Sequence, residues 1–279
     1  MKLSVVIAGA DAPPSAFVVW RGWERSIAKA AEYGYQGVEL ALREAGEVDP
    51  HALSRALSKA GLSVSAISTG QVFATLGLYF THPEEAARRR AVAVFQGLID
   101  LAADFTQVIN VGRSRGFVAE GQSRAEAETL FLDTAGTITA YARQKNVTLV
   151  IEPVNRYEIN FINNLDEGAA LMDKLPYPNK GLMPDLFHMN IEDDRIGASL
   201  RRAGARVRYV HLADSNRLAP GKGHIDFDEA LKALADIGFD GWAAVEILPK
   251  PDPDTAARDA ATFLLPKLAA YRPRREAQV

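Results

Sequence analysis

Four residues of this chain combine metal-ligand chemistry with one recurring position. Glu152, Asp185, His211 and Glu246 stand at the ends of the short apolar runs TLVIEP, GLMPD, VRYVHLA and WAAVEI. A carboxylate at the end of a buried strand is costly without a partner. Three carboxylates and an imidazole crowded together would repel one another unless a cation held them. Oxygen ligands with one imidazole suit Mn2+ best, and Mg2+, Co2+, Zn2+, Fe2+ and Ni2+ also match. Taken singly, each residue has an ordinary reading as a loop cap, a salt-bridge partner or a satisfied core histidine. The specificity lies in the set.

For these side chains to meet, the elements that carry them must bring consecutive strand ends to one place. Apolar, β-branched runs predict strands at Leu3–Ala8, Gly37–Ala41, Ser63–Ser68, Gln107–Val111, Thr148–Pro153, Gly181–Asp185, Val207–Ala213 and Trp242–Ile247. Helical patterns follow near 22–33, 50–60, 83–103, 123–145, 165–174, 193–204, 227–237 and 254–270. Val92, Phe95, Leu98 and Ala102 form one apolar stripe at helical spacing. Thr81 with Glu84 and Ser123 with Glu126 match the capping box, and Asn164 precedes Glu167 in the same register. Alternating strand–helix units of this number predict an α/β fold, a (β/α)8 TIM barrel, as a single domain over residues 1–270 with a polar tail at 271–279. A doubly wound sheet would want a glycine-rich phosphate loop after the first strand, and AGADAPPSAF is a poor match. In a barrel, the C-terminal strand ends build the active site, where the fifth to eighth strands each deliver one of the four residues.

The bulk composition narrows the function. The chain has 279 residues, 48% of them hydrophobic, with a net charge of −3. No global positive field favours nucleic acid. There are no cysteines, hence no disulfides or thiolate catalysis. No apolar run approaches the roughly 18 residues of a membrane span. A cytoplasmic protein without a nucleic-acid or membrane partner is expected.

The stretches VIEPVNRYEINFINN, PDLFHMNIED, YVHLADSNRLAPGKGHIDF and AAVEILP resemble the xylose isomerase-like barrel superfamily. Within it they are similar to the D-tagatose 3-epimerase group, most closely its 5-keto-L-gluconate epimerase branch, which also has motifs like AISTGQ and THP. The resemblance runs over nearly the whole chain. It implies that Glu152, Asp185, His211 and Glu246 bind one divalent metal, and that Glu152 and Glu246 are also the catalytic pair. It implies that Glu158, His188 and Arg217 bind substrate oxygens near C1 and C2, and that the protein is a homodimer or homotetramer. The chemistry fits those roles. Epimerising C3 of a ketose means taking a proton from one face and returning one to the other, so two opposed carboxylates are wanted. A free ketose or a keto-uronate such as 5-keto-L-gluconate or D-tagaturonate is the implied substrate.

Other loops offer further candidates. Gln71, in STGQ, is placed to hydrogen-bond a substrate hydroxyl. Arg113 and Arg115, in GRSRG, form either a solvated basic loop or a fork for the carboxylate of a keto-uronate. Glu39 is polar on an apolar strand and fits a partner behind the site. His224 and Asp226 either line the site or, for Asp226, cap a helix. The loop LPKPDP after the eighth strand lacks a glycine nest, which favours a non-phosphorylated substrate.

The same ligands would also serve an aldose–ketose isomerase or an inosose-type dehydratase. A metal-stabilised sugar-binding module would not need two opposed bases. Apurinic-site endonucleases of this superfamily use extra histidines at the ends of strands two to four, and the third and fourth strands here end in Ser68-Thr69-Gly70 and Asn110-Val111-Gly112.

Overall fold

Eight runs rich in Val, Ile, Leu and Ala form parallel strands: β1 Lys2–Ala8, β2 Gly37–Ala41, β3 Ser63–Ser68, β4 Val108–Val111, β5 Thr148–Ile151, β6 Lys180–Leu182, β7 Val210–Leu212 and β8 Trp242–Val245. They come from a computed structural model that describes residues 1–14 and 16–271. The order around the sheet is β6-β5-β4-β3-β2-β1-β8-β7. Bridges between Leu182 and Val207 and between Asp185 and His211 join its two ends, with the His211 amide donating to the Pro184 carbonyl at 2.9 Å. The result is a closed TIM barrel. A two-residue strand, Trp20–Arg21, pairs beside β1.

The outer layer consists of α1 Trp23–Glu32, α2 Pro50–Ala60, α3 Gly70–Leu76, α4 Glu85–Phe105, α5 Arg124–Gln144, α6 Leu165–Lys174, α7 Leu186–Glu192, α8 Ile196–Ala203, α9 Phe227–Asp236 and α10 Pro253–Ala270. Strand residues alternate between two cores. Leu3, Val5, Ile7, Ile67, Ile109 and Leu149 pack under the helices, whereas Val6, Ala41, Ala66, Val150, Met183 and Ala244 fill the lumen. Small residues dominate the lumen, which leaves space above them for polar side chains.

The expected strands are all present, but the later ones are shorter. β5 stops at Ile151 and β6 at Leu182, just before Pro153 and Pro184, since proline cannot donate to a ladder. Glu152, Asp185 and Glu246 therefore lie just beyond their strands, on the rim, and His211 alone lies within one. The helix expected at 193–204 is α8, and a short helix that was not expected, α7, precedes it. α7 starts directly after Asp185, whose side chain accepts from the Phe187 amide at 2.9 Å as its N-cap.

The Ser123–Glu126 capping box is present, and Asn164 caps α6. The Thr81 box is not. α4 starts at Glu85, and the buried Thr81 instead holds Phe117, accepting from its amide at 2.9 Å and donating to its carbonyl at 2.7 Å. Gly116, at φ 96°, allows that approach, because a Cβ there would lie 2.1 Å from the Thr81 hydroxyl. The polar tail expected at 271–279 falls, from 272 onward, outside the described residues. No described helix is long and apolar enough to cross a membrane.

Candidate metal centre and active site

The closed barrel brings Glu152, Asp185, His211 and Glu246 together, with one ligand atom of each within 4.8 Å of the others. His211 is central. Its Nδ1 lies 3.5 Å from Glu152 Oε1, 3.4 Å from Glu246 Oε2 and 3.9 Å from Asp185 Oδ2. Its Nε2 lies 2.9 Å from a carboxylate oxygen of the fully buried Glu39. In the neutral ring the Nε2 proton belongs to the Glu39 hydrogen bond, which leaves the Nδ1 lone pair facing the cluster. Nδ1 is buried without a hydrogen-bond partner. An orphaned nitrogen facing three carboxylates fits a cation. The carboxylate behind the histidine is the usual arrangement for orienting a metal-binding imidazole.

The electrostatics point the same way. Burial works against charge on His211, yet Glu39, Glu246 and Glu152 outweigh it and hold the imidazole well above the usual histidine range. Burial pushes the Asp185 carboxyl up, to about 6, against the pull of Arg217. Burial pushes Glu246 upward too, but His211 and Arg217 outweigh it and keep its carboxyl below the usual range. An ion entering the cluster must therefore displace protons, chiefly from His211. The affinity for Mn2+ measured by calorimetry is expected to rise from pH 6 to 8, by up to about tenfold per unit for each proton displaced. An affinity flat across that range would contradict a cation site at His211 Nδ1.

Arg217 reaches the cluster from the loop after β7. Its guanidinium pairs with Asp185 and Glu246. Phe17 and Phe187 flank it, with ring centroids 5.0 and 4.9 Å away. The residue takes a left-handed conformation, φ 61°, an uncommon state for a non-glycine residue that its surroundings must hold.

His188 lies on α7, with Nε2 3.8 Å from both Glu152 Oε1 and Asp185 Oδ2. Its tautomer follows from Asn155. The Asn155 Oδ1 accepts from the Tyr157 amide at 3.0 Å, so its Nδ2 must face Glu158 Oε1 at 3.2 Å and His188 Nδ1 at 2.8 Å. His188 thus accepts at Nδ1 and presents an N–H at Nε2 to the site. Burial, reinforced by the charges of Arg217 and Arg115, holds His188 well below the usual range and therefore neutral. Asn155 was not singled out in the sequence, although it lies inside EPVNRYE.

Above the cluster is a pocket lined by Phe17, Ser68, Gln71, Asn110, Arg113, Glu152, Glu158, His188, Arg217 and Glu246, among others. Gln71 lies on its wall. Arg115 does not, which corrects the fork reading for that residue. It is fully buried, and its guanidinium donates to the backbone carbonyls of Phe161, Ile162 and Gly112 at 2.8, 2.9 and 3.2 Å. The tight turn Arg113–Arg115 directs it under the loop, where it pins backbone. Arg113 is the member that lines the pocket, with its guanidinium carbon 5.6 Å from the Phe73 ring centroid. His224 and Asp226 lie away from the site. His224 pairs with the Ser215 hydroxyl, and Asp226 caps α9.

Comparisons with known proteins agree with this architecture. A family model described as "Xylose isomerase-like TIM barrel" matches residues 27–267. The L-ribulose 3-epimerase of Methylomonas sp. (strain DH-1) is 30% identical over 236 residues, covering 80% of each chain. The ketose 3-epimerase of Arthrobacter globiformis is 30% identical over 231 residues, covering 81% of this chain and 77% of the relative. Among solved structures, D-psicose 3-epimerase with D-tagatose from Clostridium cellulolyticum H10 superposes with a TM-score of 0.82 at 21% identity, covering 98% of this chain and all of that one.

Proposed function

The chain belongs to the xylose isomerase-like TIM barrel family, and from that premise we propose that it is a divalent-metal-dependent ketose 3-epimerase acting on a free ketose or a keto-uronate. The observation that supports this reading is the gathering of Glu152 and Glu246 at His211 Nδ1, 3.5 and 3.4 Å away, with one ligand atom of each of the four residues within 4.8 Å of the others. Glu152, Asp185, His211 and Glu246 would hold the ion, Mn2+ by preference. An ion there would supply Lewis-acid stabilisation of the negative charge that develops on the substrate.

The remaining work falls to the side chains. One glutamate takes the C3 proton, and the electron pair left on C3 moves toward the carbonyl oxygen, giving an enediolate. The other glutamate returns a proton to the opposite face, inverting the centre. The low pKa of Glu246 keeps it ionised and able to accept. The neutral His188 donates its Nε2–H to the carbonyl oxygen, where negative charge develops. Glu158 accepts from the C1 hydroxyl, and Arg217 donates to the adjacent substrate oxygens. An aldose–ketose isomerase would use the same ligands, and it is the relatives named as ketose 3-epimerases that favour C3. The protein is proposed to work in the cytoplasm as a homodimer or homotetramer, as the resemblance implies.

Arg113 supports a keto-uronate among the substrates, since among the described residues no carboxylate pairs with it. Incubating the Mn2+-loaded enzyme with neutral ketoses and keto-uronates should yield 3-epimers by chromatography. The Arg113→Ala variant should raise KM by about tenfold for keto-uronates and leave KM for neutral ketoses unchanged. An equal effect on both classes would remove the keto-uronate reading.

A further inference from the structure

Two costly features of the fold meet at one backbone carbonyl beside the active site. The first is Arg115, whose guanidinium is fully buried and, among the described residues, pairs with no carboxylate. Burying a charge without a counter-charge is expensive. Burial lowers the pKa of Arg115 only to about 10, so the side chain stays charged at neutral pH. The second is Ile162, which is buried and left-handed at φ 58°. A β-branched residue at positive φ is an outlier, and such a state persists only where its surroundings hold it.

The Ile162 carbonyl accepts from Arg115 Nη2 at 2.9 Å and from the Val154 amide at 3.3 Å. Arg115 Nε donates to the Phe161 carbonyl at 2.8 Å and Nη1 to the Gly112 carbonyl at 3.2 Å. Gly112 follows β4, whereas Val154 and Ile162 stand at the two ends of the loop between β5 and α6. One guanidinium therefore ties the first loop to the neck of the second. Within the second loop, the Asn163 side-chain amide donates to the Val154 and Ile159 carbonyls at 2.8 and 2.7 Å. The Asn155 carbonyl accepts from the Glu158 and Ile159 amides at 3.1 and 3.2 Å. Stitched in this way, residues 153–163 are placed as a unit by their neck.

That unit determines the state of His188. Among the described residues, both groups that face His188 Nδ1 belong to Asn155, the side-chain amide at 2.8 Å and the backbone amide at 3.4 Å. The same side-chain amide faces Glu158 Oε1 at 3.2 Å. We propose that Arg115 is a positioning residue: by clasping the strained neck of the 153–163 loop, it sets Asn155 against His188 and so fixes which ring nitrogen presents a proton to the pocket. This rests on the epimerase reading only for what His188 does with that proton. The planar fork of arginine is what the clasp needs, since three nitrogens reach three carbonyls at once. The single ammonium of lysine has no such fixed spread.

The test is 15N NMR of the Mg2+-loaded protein labelled at its five histidines, with the His188 signals assigned by their loss in His188→Gln. The wild type should show one His188 tautomer, protonated at Nε2 alone. Its Val154 amide should exchange with deuterium as slowly as the barrel core. In Arg115→Lys and Arg115→Met both tautomers should appear, and the Val154 amide should exchange about tenfold or more faster. The kcat for 3-epimerisation should fall by about tenfold or more, because part of the population no longer offers the Nε2–H. A wild type protonated at Nδ1, or one whose Val154 amide exchanges at once, would overturn the clasp without any variant having to fold. Folded variants that keep the wild-type tautomer would overturn it too, whatever their activity. A changed tautomer with kcat unchanged supports the clasp and sinks the part given to His188 in epimerisation, so the two readings fail separately.

Discussion

Glu152→Gln and Glu246→Gln are each expected to lower kcat for 3-epimerisation by about 10²- to 10⁴-fold, the usual cost of losing a general acid–base group. Glutamine keeps the size and one oxygen ligand of glutamate but cannot accept the proton from carbon. Both glutamates face His211 Nδ1, at 3.5 and 3.4 Å, so a double-sided proton transfer needs both. Metal content of the purified variants separates loss of the base from loss of the ion. A variant that retains its ion and turns over at the wild-type rate would remove that glutamate from the chemistry.

Stripping divalent ions is expected to abolish activity, and adding back Mn2+ to restore it. The protein should remain folded throughout. Breaking a buried charge set open is expensive, but here much of the compensation is built in. Arg217 pairs with Asp185 and Glu246, and Glu39 pairs with His211. Circular dichroism of the stripped protein should therefore match the loaded form, with a lower Tm because the ion binds only the folded state. Turnover that survives complete chelation would contradict the assignment of the cluster as a metal site.

The fold and the cluster were legible in the sequence for the same reason. In a parallel barrel every strand runs from floor to rim, so a polar residue closing an apolar run is placed at the rim by chain direction alone. Glu152, Asp185, His211 and Glu246 could be grouped on that basis before any contact was known. Boundaries were harder to read. Pro153 and Pro184 lie just past ladders that the apolar runs would have continued, and Thr81 holds Phe117 instead of capping α4.

The loops were the least legible, because side-chain direction in a tight turn is not set by a simple period. GRSRG offers two arginines two residues apart. The turn sends Arg115 down onto the carbonyls of Phe161 and Ile162 and leaves Arg113 at the pocket. Asn110 carried a usable signal, a lone amide in the otherwise aliphatic strand VINV, the same kind of signal that drew notice to Glu39. Asn155 carried none, since its role in fixing the His188 tautomer depends on a loop returning against α7.

The most direct measurement of the central claim is solvent deuterium incorporation, followed by NMR, when the Mn2+-loaded enzyme is incubated with ketoses and keto-uronates in deuterium oxide. The account predicts deuterium at C3 of both epimers of an accepted substrate and at no other carbon, with none in Glu152→Gln or Glu246→Gln. Deuterium at C1 or C2, as an aldose–ketose isomerase would give, or its absence from every substrate in the panel, would contradict it.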